Sequence, residues 1–229
     1  MNYPVAFKTD FKRNPYKGLY IALEGIDGSG KTVQEELLAA YFRKTGKEAL
    51  VISEPRRVGM IGRVINEVLQ KRATLPPVAI QYLFVADRVS HQEEVIFPAL
   101  KNGINILSHR CFWSAIPYGM MDRAKTKALN YEVGEALLVA QSVLSMYYQI
   151  TIPDITFYLK VSAETAIKRL KKQGIKSEHY ETLEQLKRVQ KGYDWMIKKF
   201  PKEFVVINGE QDPAKVSEDI INYLENYKK

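Results

Sequence analysis

The stretch Gly25-Ile26-Asp27-Gly28-Ser29-Gly30-Lys31-Thr32 sets glycines, a lysine and a hydroxyl at the spacing G-x-x-x-x-G-K-[ST]. Its glycines let the backbone fold tightly, so that successive N–H groups point at one anion. A helix starting near Lys31 adds the positive end of its dipole. Lys31 then neutralises outer phosphates, and the Thr32 hydroxyl is the candidate ligand for magnesium. Spacing, lysine, threonine and context agree, which argues against a chance glycine turn. The stretch predicts a nucleoside triphosphate site, without saying whether the acceptor is water or a second small molecule.

Three further groups could carry chemistry. Glu54-Pro55-Arg56-Arg57 offers an arginine fork able to grip a phosphate in bidentate fashion. Phe84 and Arg88, four apart on a long helical pattern, share a face that suits a flat base stacked on the ring and hydrogen-bonded by the guanidinium. The apolar run Ile104–Leu107 ends in Ser108-His109-Arg110, two cation-forming groups where a buried strand normally turns. The first has a plainer reading as a solvated arginine pair, and the second as ordinary helix surface beside core.

Positioning these groups takes a sheet. Strand-like runs Leu19–Glu24, Ala49–Ser53, Ile104–Ser108, Ile155–Val161 and Phe204–Ile207 alternate with helical patterns. The helices are expected from Lys31, with Val33, Leu37, Leu38 and Tyr41 on one face, over Ile61–Lys71 and Pro77–Leu100, and at about 131–149. Others are expected from Ala163, over about 182–199 and over Pro213–Tyr227. Such alternation predicts an α/β, three-layer P-loop NTPase fold, a five-stranded parallel sheet flanked by helices. Ligands then lie beyond the carboxyl ends of the strands, where all of these groups fall.

At 229 residues and 46% hydrophobic content the chain can bury a full core. No linker or repeat divides it, so the reading is one domain over 18–229 behind a basic arm, 1–17. One cysteine excludes an internal disulfide framework and fits a reducing, cytoplasmic setting. No apolar run approaches the ~20 residues that span a bilayer, so no membrane partner is expected. The charge of +8 favours an anionic partner. A nucleic-acid-associated ATPase is the weaker form of that reading, and nucleotide substrates are the stronger.

Taken together, the stretches LEGIDGSGKTVQ, SEPRRVGMIGRVI, YLFVADR, HRCFWSAIPYG, PDITFYLKV and KRVQKGY resemble the thymidylate kinase family, in its order and at about its spacing over roughly residues 18–225. The resemblance implies transfer of the γ-phosphoryl group of ATP to dTMP, with magnesium, by a homodimeric enzyme. It implies donor binding by Gly25, Ile26, Asp27, Gly28, Ser29, Gly30, Lys31, Thr32 and Arg169. Acceptor binding falls to Asp27, Arg57, Phe84, Arg88, Arg110 and Tyr118, with Lys31, Asp27, Arg57 and Arg110 closest to the chemistry. A lid at about 174–182 would exclude water.

The chain departs from the family pattern at several points. His109 stands where members usually carry an aspartate that organises magnesium and its waters, and imidazole is a poor ligand for a hard cation. Either His109 hydrogen-bonds a neighbour while Thr32, phosphates and water hold the metal, or the chain is a nucleotide-binding protein of the same fold with low or altered kinase activity. Gly119 replaces a common glutamine, and Lys171, Gln173 and His179 stand where lid arginines are usual.

Overall fold

The computed structural model describes residues 10–124, 141–172, 174 and 182–229. Residues 131–140 of one expected helix, and most of the expected lid with Lys176 and His179, lie outside the described residues, as does Gln173. Strands β1 (Tyr20–Glu24), β2 (Ala49–Ser53), β3 (Asn105–His109), β4 (Ile155–Lys160) and β5 (Val205–Asn208) form one sheet in the order β2-β3-β1-β4-β5. All pairings are parallel.

Burial on both faces explains the continuous apolar runs of the inner strands β1 and β4. Ile21 and Leu23 of β1 face one side, with Leu38 and Phe42 of α1 (Lys31–Lys44) and Val216 and Ile220 of α9 (Pro213–Asn226). Ala22 faces the other, with Trp113, Ile116 of α5 (Ala115–Ala124), Ala166 of α7 (Ala163–Lys172) and Tyr193 of α8 (Leu183–Lys199). Gly192 lets α8 approach α5, since a Cβ there would lie 2.8 Å from Pro117 Cα. Thr182 and Gln185 close a reciprocal capping box at the start of α8.

Several expectations shift. On α1 the buried positions are Lys31, Gln34, Leu38 and Phe42, whereas Val33 and Leu37 are exposed. The phosphate loop fixes where the helix starts, and that rotation turns a different stripe inward. Residues 59–69 form α2 (Gly59–Leu69). The expected Pro77–Leu100 helix divides into α3 (Pro77–His91), a π turn (Gln92–Ile96) and α4 (Phe97–Lys101). Pro98 has no N–H to give back along the helix. The Gln92 amide exchanges two hydrogen bonds with the Thr151 backbone, anchoring the wide turn.

β3 runs one residue later than expected because His109 pairs with both Leu23 and Ser53. Residues 141–146 are helical and form α6. Residues 10–17, read from sequence as part of a basic arm, lie against the fold. Phe11 packs on Trp113 and Phe200, Arg13 pairs with both carboxylate oxygens of Glu203, and Asn14 bonds Asp154.

Candidate active site

The loop after β1 has three glycines with positive φ, Gly25 at 148°, Gly28 at 81° and Gly30 at 99°. Two of them face crowding, since a Cβ on Gly28 would lie 2.5 Å from the Ala166 carbonyl oxygen. No side chain caps α1, so its first N–H groups remain available at the loop. Buried Lys31 donates from Nζ to the carbonyls of Gly25 (3.1 Å) and Ile26 (2.9 Å). Burial, with Arg110 adding to it, pushes the ammonium down to about 7 against the pull of Asp27 and Glu24. An arriving phosphate supplies the missing negative charge. Thr32 is exposed beside Lys31. Arg169 reaches the loop from α7, donating to the Ser29 carbonyl at 3.4 Å and the Gly209 carbonyl at 2.9 Å.

Arg110, the first residue beyond β3, has a φ of 70° and turns its guanidinium back toward this loop. Its Nη2 donates to Asp27 Oδ1 at 2.6 Å and to the Tyr118 hydroxyl at 2.8 Å. Tyr118 in turn donates to Asp27 Oδ2 at 3.0 Å. The Nη1 of Arg110 donates to Ser114 and Tyr193. Burial pushes the Asp27 carboxyl up, but Arg110 and Lys31 outweigh it and hold the group at about 2. Asp27 is therefore a carboxylate at any working pH.

Beneath Arg110 lies a group that sequence reasoning missed. Glu24, the fully buried last residue of β1, accepts from Ser114 (2.7 Å), Tyr193 (2.6 Å) and the Cys111 backbone N–H (2.9 Å). Its Oε2 lies 3.8 Å from Arg110 Nη1. The carboxylate holds in place the groups that orient Arg110. The available signal was a charged residue closing an apolar strand just before the glycine loop.

A cleft with about 790 Å³ of open space runs from Asp27 past Arg57, Phe84, Arg88, His109, Arg110 and Tyr118. The two neighbouring arginines divide their tasks. Arg56 is held by Asp87 (2.9 Å) and Glu94 (2.7 Å), whereas exposed Arg57 lines the cleft. Arg88 lies under the half-buried Phe84 ring, 5.7 Å from its centroid, with Nε on buried Glu54 at 2.9 Å. Glu54 is the second buried carboxylate that the sequence reading left without a task. The His109 imidazole, by burial and by the nearby Lys31 and Arg110, is pushed down to about 3 and stays neutral.

The structure thus gathers Asp27, Arg57, Phe84, Arg88, Arg110 and Tyr118 around one cleft, with Lys31 and Thr32 at the adjoining phosphate loop and Arg169 reaching that loop from α7. That arrangement can hold two anions with a carboxylate between them, one cradled by backbone N–H groups and one by arginines. Among the described residues no cluster of His, Cys, Asp and Glu could hold a metal unaided. No helix among them is long and apolar enough to cross a membrane.

Comparison with known proteins bears on this geometry. The sequence model for thymidylate kinase matches residues 23–220. A thymidylate kinase of Thermoanaerobacter sp. (strain X514) is 33% identical over 211 residues, covering 92% of this chain and 99% of that protein. A probable thymidylate kinase of Pyrococcus abyssi is 31% identical, covering 90% and 95%. The solved structure of thymidylate kinase from Candida albicans superposes with a TM-score of 0.76 at 24% identity, covering 93% of each chain, and so supports the fold.

Proposed function

The chain belongs to the thymidylate kinase family, and we propose that its residues divide the transfer of the γ-phosphoryl group from ATP to dTMP, giving dTDP and ADP, between the phosphate loop and the cleft. The single observation that carries this division is the bond from Arg110 to Asp27, which joins the residue after β3 to the middle of the loop.

The roles follow from charge and placement. The loop N–H groups, Lys31 and Arg169 receive the donor phosphates. Arg57 and Arg110, whose planar forks suit phosphate oxygens, grip the acceptor phosphate. Phe84 stacks on the base, Arg88 donates to a base carbonyl, and Tyr118 closes the sugar side. Catalysis then rests on alignment and charge neutralisation, with no covalent enzyme intermediate. Asp27 stays ionised between the two phosphates and holds Arg110 in place until the acceptor arrives.

Magnesium fits this donor set in part. The exposed Thr32 hydroxyl and the ionised Asp27 carboxylate are hard oxygen donors at the loop that would hold the ion together with the nucleotide phosphates. When bound it neutralises phosphate charge. Neutral His109 supplies no oxygen and is assigned no metal contact.

Two finer readings belong with this one. Val58, Met60 and Val64 around α2, and Val78 and Tyr82 on α3, are exposed apolar residues on two helices packed together, which supports a homodimer. A buried thiol as the one cysteine supports a cytoplasmic setting. Light scattering of the intact chain checks the first; a monomer at micromolar concentration overturns it.

A coupled assay of the purified protein with ATP, magnesium and a panel of nucleoside monophosphates tests the reaction. Acceptor-dependent ADP release, strongest with dTMP, is expected. Release at background with every acceptor would sink it.

A further inference from the structure

Arg88 is held from more directions than a residue waiting for a ligand needs. Its Nε donates to Glu54 at 2.9 Å, its Nη1 to the Tyr147 hydroxyl at 2.6 Å and its Nη2 to the Cys111 carbonyl at 3.2 Å. The Phe84 ring centroid lies 5.7 Å from its Cζ and the Tyr147 ring centroid 5.6 Å. The cation therefore lies near two rings with all three of its nitrogens anchored.

Of those anchors Glu54 lines the cleft, whereas Tyr147 and Cys111 do not, and Tyr147 is the one of these two that holds Arg88 through its side chain. It lies just after α6, 59 positions along the chain from Arg88, and is itself fixed, 4% exposed with its ring 5.6 Å from that of Phe112. Burial raises its hydroxyl pKa, against the influence of Arg88, so the group stays a neutral acceptor.

We propose that Tyr147 is a positioning residue that sets the plane of Arg88 and thereby the preference for a pyrimidine carrying a carbonyl, rather than an amino group, at the edge Arg88 reads. The physical ground is the pivot. A guanidinium held at Nε alone can swing about that bond, whereas one also held at both terminal nitrogens presents its remaining N–H groups in one direction. Those groups accept only an acceptor opposite them, so an amino-bearing base meets donor against donor. Recognition by fixed donors discriminates far better than recognition by mobile ones, because mobile donors can turn away from a mismatch.

The inference rests on Arg88 reading the base, so the experiment separates the two ideas. Tyr147→Phe keeps the ring and its packing and removes only the hydroxyl. Its kinetics are measured with dTMP and with dCMP, beside Arg88→Lys and the double variant. In Tyr147→Phe, KM for dTMP is expected to rise about tenfold and the dTMP-over-dCMP ratio of kcat/KM to fall by a similar factor, while KM for ATP holds within about twofold. In the Arg88→Lys background the Tyr147→Phe effect should vanish, since its route is gone.

An unchanged selectivity ratio, or an equal loss for both acceptors, overturns the positioning role. So does a Tyr147→Phe effect of full size in the Arg88→Lys background. If Arg88→Lys alone leaves KM for dTMP untouched, the base-reading assignment of Arg88 fails first. Thermal unfolding of each variant distinguishes these results from a general loss of packing, which would lower both acceptors together.

Discussion

Arg110 Nη2 lies 2.6 Å from Asp27 Oδ1, so two residues 83 positions apart in the chain share one ion pair at the meeting point of the phosphate loop and the cleft. Arg110 also spends both terminal nitrogens on Ser114, Tyr193 and Tyr118. Lysine offers one compact charge and no fork. Arg110→Lys should lower kcat/KM for dTMP about a hundredfold while leaving ATP binding nearly intact, measured by steady-state kinetics and calorimetry. A loss under about threefold would remove Arg110 from the acceptor site.

His109 gives a prediction with a pH sign. Its folded value, about 3, lies below the ordinary 6.5. Between those values the unfolded chain binds a proton that the native state refuses, so stability falls as pH drops through that window. His109→Asn should flatten this acid limb in urea titrations, and should keep kcat within about threefold at neutral pH because the imidazole carries no charge there. A large activity loss in His109→Asn would show that the imidazole acts directly in transfer.

Glu35 carries the opposite sign. On α1, with no hydrogen bond to its Oε2 among the described residues, its carboxyl is pushed up to about 7 by burial and by Glu36. The native state keeps a proton that the unfolded chain has released above its ordinary 4.5, so stability declines as pH rises from there through 7. Glu35→Gln should match the parent at low pH and gain about 1 kcal/mol near pH 8 after allowing for partial solvent screening. That is a Tm rise of about 2–4 °C for a domain of this size. Equal Tm values at both pH extremes would refute it.

Gly28 combines a φ of 81° with a carbonyl 2.5 Å from where a Cβ would stand. Gly28→Ala is strained in backbone and blocked by α7 at once, so it should cost about 2–4 kcal/mol and abolish tight ATP binding. Denaturant melts and nucleotide calorimetry read the two effects separately. Normal ATP affinity in this variant would mean that the loop tolerates a different path.

What could be read from the chain alone was whatever is local. The glycine spacing announced the phosphate loop because turn chemistry and a following helix lie within a few residues. Strands and helices alternated legibly because apolar periodicity is set by neighbours in sequence. Phe84 and Arg88 could be assigned to one face for the same reason, and resemblance supplied roles for Arg57, Arg110 and Tyr118.

Tertiary structure decided what depends on distant partners. Nothing near Glu24 in sequence indicates that Ser114 and Tyr193, 90 and 169 positions away, meet its carboxylate. Arg56 and Arg57 are indistinguishable as letters, yet the tertiary structure pairs Arg56 with Asp87 and Glu94 and puts Arg57 in the lining of the cleft. The inward face of α1 was misread at Val33 and Leu37, though not at Leu38 and Tyr41, because the phosphate loop rather than the stripe of apolar residues sets its rotation. His109 drew notice as an unexplained second cation. Its neutrality came only from burial beside Lys31 and Arg110, a field that the sequence does not contain until the strands are side by side.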